Sequence, residues 1–261
     1  MRIKIASDIH GAYDDLAALL DGEDLCFLLG DYINIIDYSD RSGLLAEFVD
    51  RETIEQVIEL TAQNRLAEAK KVMVKTAAGI EDLFGKIAER TGECYRELFS
   101  KIPCEVYLIN GNVDFPPQLR ANLRPNIRYI EETHVLDLGG ARLGFVNGSP
   151  KMNYSFGMPG EISPEEFERR LVALGPVEHL FVHCPPAIED LCFDRIANRD
   201  EGGSEALLRY VDTHAPKTVH YGHVHEPRRR EMDYDRTRFI NCGPFRDEKR
   251  LTILELPDDA A

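Results

Sequence analysis

Five short segments of the sequence carry residue types that bind metal ions, and each follows a strand-like apolar run. The segments are Asp8-Ile9-His10, Gly30-Asp31, Gly111-Asn112-Val113-Asp114, His183 and Gly222-His223-Val224-His225. Carboxylate and imidazole groups together favour Mn, Fe or Zn over the all-oxygen sites typical of Ca and Mg. Seven candidate ligands are too many for one tetrahedral ion but enough for two ions that share a bridging carboxylate: Asp8, His10, Asp31, Asn112, His183, His223 and His225. Such a two-metal site can hold a phosphoryl group and generate hydroxide near neutral pH.

Strand-like and helical patterns alternate along the chain, and these elements must bring the five segments together. The patterns predict strands at 2–7, 24–29, 104–109, 134–138, 141–146, 179–183, 217–221, 237–241 and 250–255, and helices at 12–20, 163–174 and 203–213. This order indicates an α/β architecture, in which the loops at the carboxyl ends of the strands converge on one crevice. We expect Gly30, Gly111 and Gly222 to adopt positive φ, because the backbone must turn sharply directly after each strand.

The stretch from 41 to 101 has a different pattern. Apolar residues recur every three or four positions, and no proline interrupts them before Pro103. This periodicity predicts two or three amphipathic helices that form a hairpin, inserted between the second and third core strands of a single domain spanning 1–261. Packing of the apolar stripe on the core is the favoured interpretation, and a cap over the site or a dimer surface is the alternative.

Composition limits the partners of the protein. The 261 residues include 31 Lys and Arg against 46 Asp and Glu, a net charge of −15 that would repel a nucleic-acid backbone. No apolar run approaches the roughly 18 residues that cross a bilayer, and the first residues do not have the pattern of a signal peptide. The six cysteines form no CxxC pair. We therefore expect a cytoplasmic protein with reduced thiols, no membrane partner and no nucleic-acid partner.

The motif set Asp-x-His, Gly-Asp, Gly-Asn-x-Asp, a lone His before Pro-Pro and Gly-His-x-His resembles the calcineurin-like metallophosphoesterase superfamily, in particular its small bacterial and archaeal phosphodiesterase-like branch. The resemblance extends from residue 1 to about 255, apart from the helical insertion. It implies a four-layer α-β-β-α sandwich. It also implies that Asp31 bridges two ions, and that the ligands are Asp8, His10, Asp31 and His225 for the first ion and Asn112, His183 and His223 for the second.

Two departures from the family pattern bear on the reaction. Val113 stands where the family usually has a histidine that is proposed to protonate the leaving group or to bind phosphate. Valine can do neither, and loss of a positioned proton donor typically costs about 10²–10⁴-fold in rate. Family members with Cys at this position resemble phosphodiesterases more than monoesterases. The Gly-Asp-x-x-Asp-Arg-Gly motif of the protein-phosphatase branch is also absent after Gly30, which argues against a protein phosphatase.

Arg228, Arg229 and Arg230 lie just after the last metal-binding segment. They could help to hold an anionic substrate, but an exposed hairpin tip balanced by Glu226 and Glu231 is the favoured interpretation. Asn153 and Tyr154, in the loop after Pro150, are candidate pocket residues on their position alone.

Together these patterns predict a cytoplasmic phosphoesterase that uses two transition metal ions (Mn, Fe or Zn) and a metal-bridging hydroxide to hydrolyse a small-molecule phosphate ester, with a phosphodiesterase favoured over a monoesterase. Asp31, Asn112 and His183 are the predicted catalytic residues, and Asp114 is expected to orient the Asn112 loop. The alternatives are a non-catalytic scaffold with the same fold and a metal-dependent nuclease. The complete ligand set argues against the scaffold, and the net charge of −15 argues against the nuclease.

Overall fold

The computed structural model describes residues 1–37 and 40–257. Its strands, numbered in chain order, are β1 (Arg2–Ala6), β2 (Leu25–Leu28), β3 (Glu105–Leu108), β4 (Ile127–Tyr129), β5 (Thr133–Leu138), β6 (Ala141–Val146), β7 (Ser149–Pro150), β8 (Glu161–Ile162), β9 (His179–Phe181), β10 (Phe193–Asp194), β11 (Arg199–Asp200), β12 (Thr218–Tyr221), β13 (Glu231–Tyr234), β14 (Thr237–Asn241) and β15 (Thr252–Glu255). The helices are α1 (Tyr13–Ala18), α2 (Arg51–Ala62), α3 (Leu66–Gly79), α4 (Leu83–Lys101), α5 (Pro116–Ala121), α6 (Pro164–Leu174), α7 (Glu189–Cys192), α8 (Glu205–His214) and α9 (Phe245–Glu248), and a 3₁₀ turn spans Leu44–Glu47.

Two sheets form the inner layers of the fold. The first has the strand order β15-β1-β2-β3-β4, in which only β15 is antiparallel to its neighbour. The second has the order β13-β14-β12-β9-β6-β5, with four central parallel strands and an antiparallel strand at each edge. The parallel strands β1, β2, β3, β9 and β12 therefore deliver the five metal-binding segments at their carboxyl ends.

The period of two along each strand divides its side chains between the layers. On β2, Cys26 and Leu28 join the apolar cluster beneath α1, α4 and α5, whereas Phe27 points into the cluster between the sheets. There its ring contacts the rings of Phe145 and Phe181, with centroids 4.8 and 5.0 Å away. A third cluster packs α6 and α8 on the outer face of the second sheet. The predicted four-layer α-β-β-α sandwich is confirmed.

Local sequence signals fix where several helices begin. The side chain of Ser163 accepts a hydrogen bond from the Glu166 backbone N–H at 3.1 Å, and Pro164 occupies the first position of α6, where its missing N–H costs nothing. Asp50 caps α2 in the same way by accepting the N–H of Thr53 at 2.8 Å. None of the helices in the described residues is both long and apolar enough to cross a membrane.

The segment between β2 and β3 contains the 3₁₀ turn and the three helices α2, α3 and α4. Helix α4 packs on α1 and α5 and buries Tyr95, Leu98 and Phe99 in the core. Helices α2 and α3 pack mainly against each other, around a small cluster that also includes Phe156. The helices break at residues 80–82, so the long periodic stretch is not one helix. The division of the chain into one domain with an insertion at 41–101 stays a prediction.

The structure also corrects the predicted elements in detail. The strand predicted at 179–183 ends at Phe181, so His183 lies in the loop after it. Several elements of two to six residues were not predicted, among them β4, β10, β11, α5 and α9. Elements this short carry no measurable periodicity in the sequence. Their conformation depends on contacts with segments that are distant in the chain.

Replacing Phe181 by Ala should lower the free energy of unfolding by about 3–5 kcal/mol, because the ring is fully buried between the sheets and its removal leaves a cavity. Urea denaturation followed by circular dichroism measures this loss. The control is Phe84→Ala on α4, where the side chain is 78% exposed and the change should stay within about 0.5 kcal/mol. Similar losses for both variants would contradict the assignment of Phe181 to the core.

Candidate metal centre

The loops after β1, β2 and β3 of the first sheet meet those after β9 and β12 of the second sheet. Backbone hydrogen bonds continue between the first two loops beyond the strands: the N–H of Asp8 donates to Gly30 O and the N–H of His10 to Asp31 O, both at 3.0 Å. The N–H of Gly222 donates to His183 O at 2.9 Å on the other side. The candidate ligands from both sheets therefore face one crevice.

Six of the seven candidate ligands form two groups of three, and within each group the ligand atoms lie within 4.8 Å of one another. The first group contains Asp8, His10 and His225. Nε2 of His225 is 3.2 Å from Nε2 of His10 and 3.6 Å from Oδ1 of Asp8. Asp8 is completely buried, whereas the side chain of His225 is 41% exposed, so this group opens to solvent at His225.

The second group contains Asp31, His183 and His223. Nε2 of His183 is 3.4 Å from Oδ2 of Asp31. The seventh candidate, Asn112, joins this group: its Oδ1 lies 3.1 Å from Nε2 of His183 and 2.8 Å from Nδ1 of His223.

Carbonyl groups orient two of the histidines. Nδ1 of His183 lies 2.8 Å from the carbonyl of Leu29, and Nδ1 of His10 lies 3.1 Å from the carbonyl of Ile33. When Nδ1–H donates to a carbonyl, Nε2 keeps the lone pair, and in both residues Nε2 points into the cluster. Carboxylate, amide and imidazole atoms that present lone pairs to a common space are the donor set of a transition metal ion, so the residues fit the two ions.

Four of the candidate ligands have backbone conformations that side chains rarely adopt. The φ angles of Asp8, His10, Asp31 and His223 are 57°, 41°, 56° and 71°. Each such residue typically costs about 1–3 kcal/mol, and strain of this kind concentrates at functional sites.

Only one of the three glycines expected at positive φ adopts it: Gly30, with φ of 102°. Gly111 and Gly222 do not, so the prediction was wrong for them. They are needed for close approach instead. A Cβ at Gly111 would collide with the carboxylate of Asp31, and a Cβ at Gly222 would collide with the carboxylate of Asp8.

Asp114 connects the loops from beneath. Its Oδ2 accepts the backbone N–H groups of Asp31 and Gly111, both at 2.8 Å, and its Oδ1 accepts that of Tyr32 at 3.1 Å. The hydroxyl of Tyr95, from α4, donates to the same Oδ1 at 3.0 Å. One buried carboxylate thus joins the Asp31 loop, the Asn112 loop and helix α4.

A family model described as calcineurin-like phosphoesterase matches residues 1–227. The chain belongs to the calcineurin-like phosphoesterase family. This membership confirms the resemblance inferred from the motifs, and the matched range includes all seven candidate ligands. The family is made up of metal-dependent phosphoesterases with a dinuclear centre, and two groups of ligand residues are present in this phosphoesterase.

Some solved structures are similar to the chain at low sequence identity. The protein TT1561 of Thermus thermophilus is 13% identical with a TM-score of 0.49, and 97% of each chain is covered. AQ665 of Aquifex aeolicus, described as a protein of unknown function, is 11% identical over 97% of this chain and 95% of that one, with a TM-score of 0.37. A putative 5'-nucleotidase of Staphylococcus aureus is 12% identical over 99% of this chain and 55% of that one, with a TM-score of 0.42. No curated protein sequence matches significantly.

Electrostatics divides the histidines of the phosphoesterase into two kinds. Burial disfavours the charged form of His183, but Asp31 outweighs it and raises the pKa of His183 to about 9. Burial acts on His225 in the same way, but the nearby carboxylate of Asp8 outweighs it and raises the pKa of His225 to about 9. Burial and the charge of His183 lower the pKa of His223 to about 4. Cations that bind here must displace protons from His183 and His225, so binding releases protons.

Arg230 differs from the exposed hairpin tip that the sequence suggested. Its guanidinium donates to the carbonyl of His225 at 3.0 Å and to the carbonyl of Gly243, and it pairs with Glu248 at 2.6 Å. Arg230 therefore ties the loop that carries His225 to the loop that packs on Asp8. Nothing in the local pattern indicated this, because a run of three arginines looks like a solvated surface. Tyr95 was also missed, since its position fits the apolar stripe of an ordinary helix.

Mn²⁺ at 100 times its dissociation constant should raise the free energy of unfolding by about 2.7 kcal/mol, because it binds the folded state alone. The Asp31→Asn variant should lose this gain and all turnover, since the charged group shared by the site is gone. The matched control is Asp137→Asn on the exposed face of β5, which should keep the full gain. Thermal unfolding with and without Mn²⁺ gives the comparison, and an unchanged gain in Asp31→Asn would rule out Asp31 as a ligand.

Proposed function

We propose that this calcineurin-like phosphoesterase is a phosphodiesterase that hydrolyses a small-molecule phosphate diester with the help of two transition metal ions, Mn, Fe or Zn. The observation that carries the proposal is the combination of a full set of ligand residues with Val113, which stands where the family usually has a proton-donating histidine.

The proposed ligands follow the family pattern. Asp8, His10 and His225 would hold the first ion, Asn112, His183 and His223 would hold the second, and Asp31 would serve both. When bound, the two ions supply Lewis acidity and a hydroxide nucleophile near neutral pH. The grouping of the side chains into two sets supports this assignment.

Val113 helps to position the carboxylate of Asp31 but cannot supply a proton to a leaving group. The backbone N–H of Val113 donates to Oδ1 of Asp31 at 3.0 Å, which fixes the carboxylate. Its isopropyl side chain has no proton or hydrogen bond to offer a leaving group. A substrate whose leaving group departs without a strong proton donor is therefore favoured.

The charge of the protein supports a diester as well. A diester carries one negative charge, and a monoester near neutral pH carries close to two. The net charge of −15 opposes the approach of the more highly charged substrate more strongly.

The direct test compares bis-p-nitrophenyl phosphate with p-nitrophenyl phosphate as substrates of the Mn²⁺-loaded enzyme. We expect kcat/KM to be at least about tenfold higher for the diester, because the net charge of −15 opposes the approach of the doubly charged monoester more strongly than that of the singly charged diester. A preference for the monoester would overturn the proposal. No turnover of either substrate by the metal-loaded protein would favour the non-catalytic scaffold. Cleavage of single-stranded DNA instead would favour the nuclease.

Replacing Val113 by His should raise monoesterase kcat/KM by about tenfold or more, because a positioned imidazole can protonate the leaving group. The control is Val113→Leu, which keeps the backbone N–H and changes the side-chain size without adding a donor. Steady-state kinetics with phenyl phosphate measures both variants, because its phenolate leaving group resembles a tyrosine side chain, with a pKa of about 10, and departs more easily when it is protonated. Equal rates in the two would show that the residue at 113 does not set the preference.

The cytoplasmic location, the absence of a nucleic-acid partner and the dimer surface on the insertion stay predictions.

A further inference from the structure

Tyr95 is a buried tyrosine of the inserted helix α4 whose hydroxyl reaches the loops of the metal centre. The hydroxyl donates to Oδ1 of Asp114 at 3.0 Å and accepts the backbone N–H of Phe115 at 2.8 Å. The side chain is completely buried, so water does not compete for either bond. Both partners lie in the loop that carries Asn112.

Asp114 transmits this contact to the candidate ligands. Besides the Tyr95 hydroxyl, it accepts the backbone N–H groups of Asp31, Tyr32 and Gly111 at 2.8 to 3.1 Å. Asp31 follows directly after Gly30 at positive φ, and Asn112 follows Gly111. The carboxylate of Asp114 therefore fixes the backbone of both loops at the residues that present ligands.

The ring of Tyr95 is held on two sides. It stacks on Phe99 of the same helix, with ring centroids 6.0 Å apart at an angle of 23°. The ring of Tyr32 meets it edge-on at 6.3 Å. A ring fixed by packing aims its hydroxyl in one direction, and this is the requirement for a group that supports metal ligands from behind.

We propose that Tyr95 is a positioning residue for the metal centre and that it acts through Asp114: the inserted helix α4 sets the affinity for metal by fixing the loops of Asp31 and Asn112. This inference rests on the ligand assignment of the proposed function and is independent of the substrate. It gives α4 a role that a purely structural insertion does not have.

The test is Tyr95→Phe, which removes only the hydroxyl. We expect the dissociation constant for Mn²⁺ or Zn²⁺ to rise about 10–100-fold, the range typical for partners that support metal ligands. Competition with a chromophoric chelator measures it without substrate. We also expect kcat for the diester to fall at saturating metal with KM little changed, since no substrate contact is lost.

The matched control is Tyr210→Phe. Tyr210 is also buried, and its hydroxyl donates to the carbonyl of Gly175 at 2.6 Å, in the helical layer on the far side of the second sheet. Each variant removes one hydroxyl from a buried tyrosine, with the loss of two hydrogen bonds at Tyr95 and one at Tyr210. Tyr210→Phe should keep the metal affinity of the wild type whatever its effect on thermal stability. If Tyr95→Phe also keeps that affinity within about twofold, the hydrogen bonds of the Tyr95 hydroxyl have no effect on metal binding and the proposal is overturned.

A double-mutant cycle tests whether Tyr95 acts through Asp114. We expect Asp114→Ala, which removes the acceptor of the Tyr95 hydroxyl, to weaken metal binding, and the double variant with Tyr95→Phe to bind metal no more weakly than Asp114→Ala alone. If the losses of metal-binding free energy in the two single variants add in the double variant, Tyr95 does not act through Asp114 and the proposed route is overturned.

A measurement on the unmutated fold covers the case in which Tyr95→Phe does not fold. With 3-fluorotyrosine at position 95, the ¹⁹F resonance should shift in step with a Zn²⁺ titration, and a label at position 210 should not respond. An unshifted position-95 signal in the fully loaded protein would overturn the proposal. Wild-type protein that binds no metal would overturn the proposed function together with this inference, whereas metal binding with no effect of Tyr95 overturns this inference alone.

Discussion

The structure depends on the burial of three carboxylates in one crevice. Asp8, Asp31 and Asp114 are at most 3% exposed, and an unpaired charge removed from water is strongly destabilising. Burial and the charge of Asp31 together raise the pKa of Asp114 to about 6, although three backbone N–H groups oppose the shift. Histidines offset the other two carboxylates, since His225 lies against Asp8 and His183 against Asp31. Two divalent cations would complete the neutralisation, so the site is organised around positive charge that the chain alone only partly provides.

Two sheets are needed to assemble such a site. Asp8, Asp31 and Asn112 come from loops of the first sheet, and His183 and His223 from loops of the second, so neither sheet has a complete ligand set. The aromatic contacts between Phe27, Phe145 and Phe181 hold the sheets face to face. Protein interiors are close-packed and resist small displacements. This core therefore fixes the distance between the two sheets, and with it the distance between the loops at their ends. The strained backbone of four ligand residues is tolerated because the surrounding packing determines it.

The segment between β2 and β3 has two parts with different surroundings. Helix α4 lies in the outer helical layer and reaches Asp114 through Tyr95. Helices α2 and α3 form a hairpin with a small core of their own, which also contacts Phe156. Phe156 belongs to the loop between β7 and β8, which also contains Gly160. Gly160 lies directly against the Asn112 loop, and a Cβ at this position would collide with the carbonyl of Gly111. The segment between β2 and β3 thus contacts the loop of Asn112 directly through α4, and its α2–α3 hairpin packs on the separate loop of Phe156 and Gly160.

The sequence by itself determined the family, the α-β-β-α sandwich and the candidate ligands, because metal binding restricts residue type and the strand pattern places each motif at a strand end. It did not determine why Gly111 and Gly222 are glycine, since the reason is the nearness of Asp31 and Asp8 rather than backbone conformation. Nor did it indicate the roles of Tyr95 and Arg230, whose side chains fit an apolar stripe and a charged surface equally well. Short elements such as β10 and α9 were missed for the same reason. These features are contacts between residues far apart in the chain, and periodicity and propensity describe only local interactions, so the tertiary structure alone decided them.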